Sequence, residues 1–538
     1  MSYPTITDLF EGSVARFADR AAIRNTKPIP SEPEEISYRE LDQLSASLAA
    51  GLLDLGIEKG DRIALISPPR IRFAAVALAA FRIGAWLMPI DPSATREEIA
   101  GLADHGTPKV VFAADEQLSR CPETVPHHID LNDEQGKGFA CLLDCATREL
   151  PVVHPTDIAI LAYTSGTTGQ AKGVMLSHDN ITADLIDGTK VIPVYPEDVF
   201  LAIAPWHHIL GLVACLILPM YGGALAMYTD EYRRLANLMQ QHGVSIFVGV
   251  PKLYHGLYAR LMEKVTGSLS GRMLWRLAPR LVGRKIKQTL TGGRLRFMVS
   301  GSAPLDPSVA MGFRRMGIGM MEGYGLTETS PVVSISDPFG RNPGSVGQPL
   351  PGVEVRLVNP WPDGVGELLV RGPIVMQGYY ANPSATAQAI DEQGWFHTGD
   401  LATLNAEGEI FLHGRAKNVI VLDSGKNVYP EEVEWEIGRI PYVEEVLVRQ
   451  QPAGKEIEAI VYPAQDRISN TAPDRTAREI IWEEIRKALQ RVAPHKRLRS
   501  IRQLILVNRP FPKTSTLDIK RHLLPHHTPE TISKTLEP

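Results

Sequence analysis

Cysteine is scarce in this chain. Its 538 residues include four, Cys121, Cys141, Cys145 and Cys215, too few to staple a fold of this length. Cys141 and Cys145 lack a second ligand pair at zinc-binding spacing, so no zinc site is expected, and a reducing cytoplasm is the natural setting. A charge excess of either sign is also missing. With 56 Lys and Arg against 61 Asp and Glu, no general attraction to nucleic acid is implied. The first residues carry no basic stretch followed by an apolar one, so no secretion signal is expected. Unbroken apolar runs are lacking as well. Residues 209–228 are free of charge, but Pro219 and Gly222-Gly223 interrupt them. That pattern predicts a buried helix, a turn and a strand rather than a membrane span.

What is present is a long, ordinary globular composition, 44% hydrophobic and 22% charged. The length calls for several domain-sized units. Residues 38–55 carry Leu41, Leu44, Leu48, Leu52 and Leu55 at helical spacing. Strands are predicted at 62–66, 86–90 and 110–113, with a helix at 73–84. Alternation of this kind predicts an α/β fold with a parallel sheet covered on both faces. Residues 156–335 continue it, with a strand at 244–248 and a helix at 251–262. Residues 336–414 are rich in Gly, Pro and Val, with short apolar runs at 353–358, 367–371 and 410–412, and read as a small β subdomain. Residues 415–538 start again as a small α+β domain: strand 419–422, helix 430–437, strand 446–449, helix 477–491, strand 505–507.

The chemistry concentrates in residues 163–178, Tyr-Thr-Ser-Gly-Thr-Thr-Gly-Gln-Ala-Lys-Gly-Val-Met-Leu-Ser-His. An apolar strand at 158–162 leads in and another at 174–176 leads out. Gly166 and Gly169 permit the backbone angles that turn N–H groups inward on an anion. Lys172 adds a compact cation for a phosphate oxygen. A standard P-loop would need glycine at 171 and a hydroxyl at 173, where Ala171 and Gly173 stand. A plain Gly/Ser/Thr-rich surface turn is the alternative reading.

Thr164, Ser165, Gly166, Thr167, Thr168 and Gly169, with Lys172-Gly173, resemble the phosphate-binding signature of the AMP-forming adenylate-forming enzymes. That family holds acyl- and aryl-CoA synthetases, luciferases and peptide-synthetase adenylation domains. It usually has proline where Ala171 stands. The resemblance extends over nearly the whole chain. It implies a large N-terminal domain over 1–414, made of two α/β sheets (about 1–155 and 156–335) and the β subdomain at 336–414. A mobile C-terminal lid, 415–538, would turn about a hinge at Lys417.

Further motifs are placed by the same resemblance. Gly323-Tyr324-Gly325, after a helix-like segment, would put Tyr324 flat on adenine, with Thr327 at the α-phosphate and Glu328 on Mg²⁺ beside Thr167. Gly301, Ser302 and Ala303 would edge the adenine. Asp400 would accept from the ribose diol, with Arg415 as its partner. Gly425 would line the channel for the CoA thiol. Trp206-His207-His208 invites a metal reading, but adjacent histidines on a strand face opposite ways. His208 is assigned to the acyl carboxylate, and a core or cleft histidine is the simpler alternative. One position departs from the family. Asp518 stands where a lysine normally bridges the carboxylate and the α-phosphate. A carboxylate there would repel both anions, and Lys520, two residues on, is the candidate substitute.

The implied reaction joins a carboxylic acid to AMP from Mg·ATP and then to a thiol, most simply that of CoA. The wording around 418–430 and a basic amphipathic insert at 267–296 resemble the bacterial long-chain fatty-acid members. That insert suits either an anionic membrane or a solvated helical surface. Three functions compete: a fatty acyl-CoA synthetase, a ligase delivering to an acyl carrier protein, and an adenylation-impaired relative that binds acyl-adenylate.

Overall fold

The computed structural model describes residues 3–133, 138–145, 148–164, 171–423, 426–451, 456–468, 476–513 and 519–523. Two large sheets form the body. The first runs, edge to edge, Gly378–Tyr379, Lys172–Ser177, Ile158–Thr164, Trp86–Ile90, Arg62–Ile66, Val110–Ala113 and His127–Asp130. Its last five strands are parallel, while Lys172–Ser177 pairs antiparallel on both sides. The second centres on the parallel strands Leu225–Tyr228, Val199–Ala202, Ile246–Gly249, Phe297–Ser300 and Gly319–Tyr324.

The sheets do not follow the chain in sequence. Ala21–Asn25 and Glu35–Ser37 close the second sheet, whereas Ile158–Thr164 and Lys172–Ser177 belong to the first. Helix Ile71–Arg82 touches strands of both and is buried at every residue, which explains its alanine- and phenylalanine-rich sequence. Its terminal Arg82 is buried without being orphaned, because Glu11 and Asp42 pair with it. The β subdomain is an antiparallel sheet of Glu354–Val358, Gly366–Arg371, Phe396–Leu404 and Ile410–Arg415.

Beyond it, Val443–Gln450, Ile457–Pro463 and Leu504–Leu506 make a small sheet. Helices Pro430–Gly438 and Ala477–Ala488 pack on it through Val433, Ile437, Ile481 and Ile485. The second helix starts on a reciprocal cap between Thr476 and Glu479. This unit touches the body through Arg439 Nε on Asp306 Oδ2 at 2.8 Å, through Tyr429, whose hydroxyl donates to Asp363 Oδ2 at 3.0 Å, and through the neighbouring Trp435 and His255 rings.

Residues 209–228 fold as their punctuation predicts. Helical turns from Ile209 to Gly222, one of them a π turn at Val213–Ile217, end at Gly223 with φ 72°, and strand Leu225–Tyr228 follows. Among the described residues no helix is long and apolar enough to cross a membrane. The helix-like segment expected before Gly323 is instead the strand Gly319–Tyr324. Its Met320 and Met321 are core residues of a parallel pair with Phe297–Ser300.

Candidate active site

Lys172 opens its strand opposite Thr164, so the hairpin fixes where its side chain starts. The intervening Ser165, Gly166, Thr167, Thr168 and Gly169 lie outside the described residues. Lys172 Nζ stands 4.7 Å over the ring of Tyr379. Tyr379 reaches that place because Gly378–Tyr379 adds an antiparallel strand to Val174 and Met175. Its hydroxyl donates to Glu328 Oε1 at 2.9 Å. Glu328 sits in the 3-10 turn Thr327–Thr329 just past Tyr324, and its carbonyl accepts the Met376 N–H at 2.9 Å. A cation, a phenol and a carboxylate are thus drawn into one array. Tyr379 was not among the residues singled out in the sequence, since the contact spans 51 positions.

A second array abuts the first. Tyr324 donates its hydroxyl to Asp400 Oδ2 at 2.7 Å, and Arg415 Nε lies 2.9 Å from Asp400 Oδ1. Asp400 and Arg415 face each other across paired strands, and Arg415 also donates to the Thr398 carbonyl at 3.0 Å. Burial pushes the Asp400 carboxyl up, while the Arg415 cation and the Tyr324 hydrogen bond pull it back. Burial, then the nearby Asp400 charge, raises the Tyr324 hydroxyl far out of reach of ordinary pH.

Three glycines lie at or just past the ends of the second-sheet strands Phe297–Ser300 and Gly319–Tyr324. A Cβ on Gly301 would stand 3.2 Å from Leu210, while one on Gly323 would meet nothing within 4 Å, so Gly323 borders open space. Gly325 is the reverse: its Cβ would fall 1.7 Å from the Pro331 carbonyl oxygen. Ser302 takes a left-handed φ of 69° in the loop that Ala303 continues.

The histidine pair corrects the strand argument. His207 and His208 lie in the turn ahead of helix Ile209–Leu212, with ring centroids 4.3 Å apart, because a turn, unlike a strand, does not send neighbours to opposite faces. They line a cavity of about 290 Å³ with Asp91, Ser93, Tyr228 and Asp230, at the carboxyl ends of strands from both sheets. Burial, then the neighbouring ring, drops His207 to about 4. Burial also lowers His208, against the opposing pull of Asp91. Both imidazoles are therefore neutral near pH 7.

Lys417 occupies the 3-10 turn Ala416–Asn418. Burial, then Arg415 and Arg521, holds its ammonium below the usual lysine range. Asn418 donates to Glu431 at 2.5 Å, and Arg521 lies 3.6 Å from Glu431 and pairs with Glu434. That tie between the turn and the chain's far end was not legible in sequence. Lys520 is half-buried, with its backbone N–H donating to Pro512 O at 2.9 Å. Among the described residues no contact joins its ammonium to Lys172, Glu328 or Asp400. Gly425 and Asp518 lie outside the described residues.

Two sheets meeting at their strand ends, a basic hairpin, and a separate small α+β unit define an adenylate-forming architecture. The chain belongs to the AMP-binding enzyme family: residues 10–380 match the AMP-binding enzyme profile and residues 417–536 its C-terminal domain. It is an AMP-forming ligase, as its relatives are. It is similar to a long-chain-fatty-acid–CoA ligase of Escherichia coli O6:H1, 30% identical over 508 residues, 85% of either chain. It is 26% identical to a chloroplastic long-chain-fatty-acid–[acyl-carrier-protein] ligase of Arabidopsis thaliana, over 90% of this chain and 80% of that one. Among solved structures, ATP-bound MatB from Rhodopseudomonas palustris superposes with a TM-score of 0.78 at 25% identity, covering 99% of this chain and 100% of that one.

Proposed function

We propose that the enzyme activates a medium- or long-chain fatty acid with ATP and passes the acyl group from acyl-AMP to CoA. The observation that carries this reading is the junction of the Lys172–Tyr379–Glu328 and Tyr324–Asp400–Arg415 arrays in a chain of this family. In the first step a carboxylate oxygen attacks the α-phosphorus, the bond to the bridging oxygen breaks, and pyrophosphate leaves. Lys172 neutralises charge on the phosphates, and Tyr379 holds it in line with Glu328. Glu328 Oε2 accepts no hydrogen bond from the described residues, which suits Mg²⁺, a cation that takes one or two carboxylates and keeps its waters. Glu328, with Thr167 from the hairpin, would hold that ion, which would screen the phosphate charge.

Asp400 accepts from the ribose diol, with Arg415 fixing its carboxylate, and Tyr324 lies against adenine. His208, neutral by burial, donates to the acyl carboxylate without drawing it into an ion pair. In the second step the thiol sulfur bonds to the acyl carbon, AMP departs, and the thiol proton passes to solvent. The C-terminal unit turns about Lys417 between the two steps, and the role assigned to Gly425 is to line the path of the thiol. An apolar acid gains about 0.8 kcal/mol per buried CH₂, so the apolar length the enzyme can bury would set its chain-length preference.

Pyrophosphate release measured across acids of increasing length tests the reading. Release with fatty acids but not with short dicarboxylates or aryl acids is expected. Release with none of them would sink it in favour of an adenylate-binding relative, the outcome Asp518 makes worth testing. Supplying CoA or an acyl carrier protein in parallel decides the acceptor, and the Arabidopsis relative is the reason to include the carrier.

A further inference from the structure

Between Glu263 and Asp306 the chain has no acidic residue and nine lysines and arginines, in a protein whose overall charge is −5. The stretch folds as helices Leu269–Leu277 and Pro279–Thr291 beyond the long helix Pro251–Thr266. Its inner side is fixed. Val282 and Ile286 are buried, and Trp275 packs against the apolar cluster around Phe247 and Phe313 on the second sheet, under the Arg315 guanidinium.

The outer side has two interleaved series. Leu269, Met273, Leu277 and Leu281 recur every four positions and are 82%, 64%, 69% and 51% exposed. Arg272, Arg276, Arg280 and Arg284 also recur every four positions and are exposed. Helix Leu269–Leu277 buries none of its residues. Arg272 is tied to the Thr266 carbonyl, but Arg276, Arg280 and Arg284 have no partner among the described residues.

A merely solvated helix needs the arginines but not the leucines, for large apolar side chains in a row are costly to leave in water. We propose that this face is a docking surface for an anionic lipid bilayer, with the helix pair lying in the headgroup plane. The leucines and Met273 would enter the acyl boundary while the guanidiniums meet lipid phosphates. A second copy fits less well, because isologous pairing would set the same arginines against each other. An acidic carrier protein would answer the arginines but leave the apolar series exposed. The proposal rests on this surface alone and not on which acid is activated.

The test is co-sedimentation of the full chain with phosphatidylcholine vesicles, with or without roughly a third phosphatidylglycerol. Binding is expected to the anionic vesicles only, and to weaken with salt. Arg276→Glu with Arg280→Glu, and separately Met273→Ser with Leu277→Ser, should each cut the bound fraction about tenfold. Both variants should keep the wild-type melting temperature and wild-type pyrophosphate release on a water-soluble medium-chain fatty acid without vesicles, which shows that they fold. Failure of the wild type to bind, equal binding to neutral vesicles, or wild-type binding by both variants would overturn the proposal. So would a dimer in light scattering that the serine variant dissolves, or protection of residues 269–281 from hydrogen exchange by carrier protein but not by vesicles.

Discussion

The Tyr379 hydroxyl lies 2.9 Å from Glu328 Oε1 while its ring sits 4.7 Å beneath Lys172 Nζ. One phenol thereby holds an anion and a cation apart yet in register. Tyr379→Phe keeps the ring under the lysine and loses only the donor to the carboxylate. Hydrogen bonds to charged groups contribute about 1.5–3 kcal/mol, so kcat for pyrophosphate release should fall roughly 10- to 100-fold. KM for the acid should change little. Tyr379→Ala, which removes both contacts, should be worse. A Phe variant at wild-type kcat would show that Glu328 needs no such restraint.

Gly325 separates Tyr324 from Glu328 by packing directly on the Pro331 carbonyl. Backbone cannot yield as a side-chain tip does, so Gly325→Ala must shift the turn. Overpacking of this kind costs typically about 1–3 kcal/mol. A lower melting temperature is expected, together with impaired pyrophosphate release, because Tyr324 and Glu328 move with the turn. Gly323→Ala, which faces open space, should leave stability near wild type and instead raise KM for ATP. Equal melting temperatures for the wild type and Gly325→Ala would contradict the geometry.

His178 supplies a pH dependence unrelated to the site. It is buried, its Nδ1 accepts the Ile6 N–H at 3.3 Å, and burial lowers its pKa from 6.5 to about 4. A histidine lowered on folding leaves the unfolded chain holding the extra proton between these two values. Stability from this group is complete above pH 6.5 and is lost as pH falls toward about 4. A shift of this size corresponds to roughly 3 kcal/mol across the window. The apparent melting temperature of His178→Asn should therefore change less between neutral and mildly acid pH than that of the wild type, whatever its starting value. Parallel slopes would remove His178 from the acid sensitivity.

Asp518 and Lys520 pose a single question about the first half-reaction. If an anion at 518 impedes it, Asp518→Lys should raise single-turnover pyrophosphate release by tenfold or more, on the order of one charge-assisted contact. Lys520→Ala should lower it if Lys520 stands in for the missing cation. An unchanged rate in Lys520→Ala would take that residue out of the mechanism.

Much of the scaffold was legible because short apolar runs between turn residues admit few readings. Strands Arg62–Ile66, Trp86–Ile90 and Val110–Ala113 lie where the sequence puts them. Helix His178–Val191 was not legible. Its inner face carries Asp184 and Asp187, which no apolar periodicity would report, and Asp184 is satisfied by the Val332 N–H, 148 positions away. The contiguous motifs around Tyr324 and Asp400 announced themselves. Tyr379 did not, because its role exists only once strand Gly378–Tyr379 docks on Val174. Likewise Arg521 gains meaning only from Glu431 and Glu434, brought to it by the fold.

That late edge strand has a bearing on how the protein is made. The hairpin carrying Lys172 is translated early, yet its outer hydrogen-bonding edge waits for residues 378 and 379, some two hundred codons downstream. A nascent chain stopped anywhere short of that point exposes an unpaired ladder beside Lys172, a template for misassociation. The first piece able to cover it would end near residue 380, so fragments and split versions of this enzyme should be cut after that position, not before.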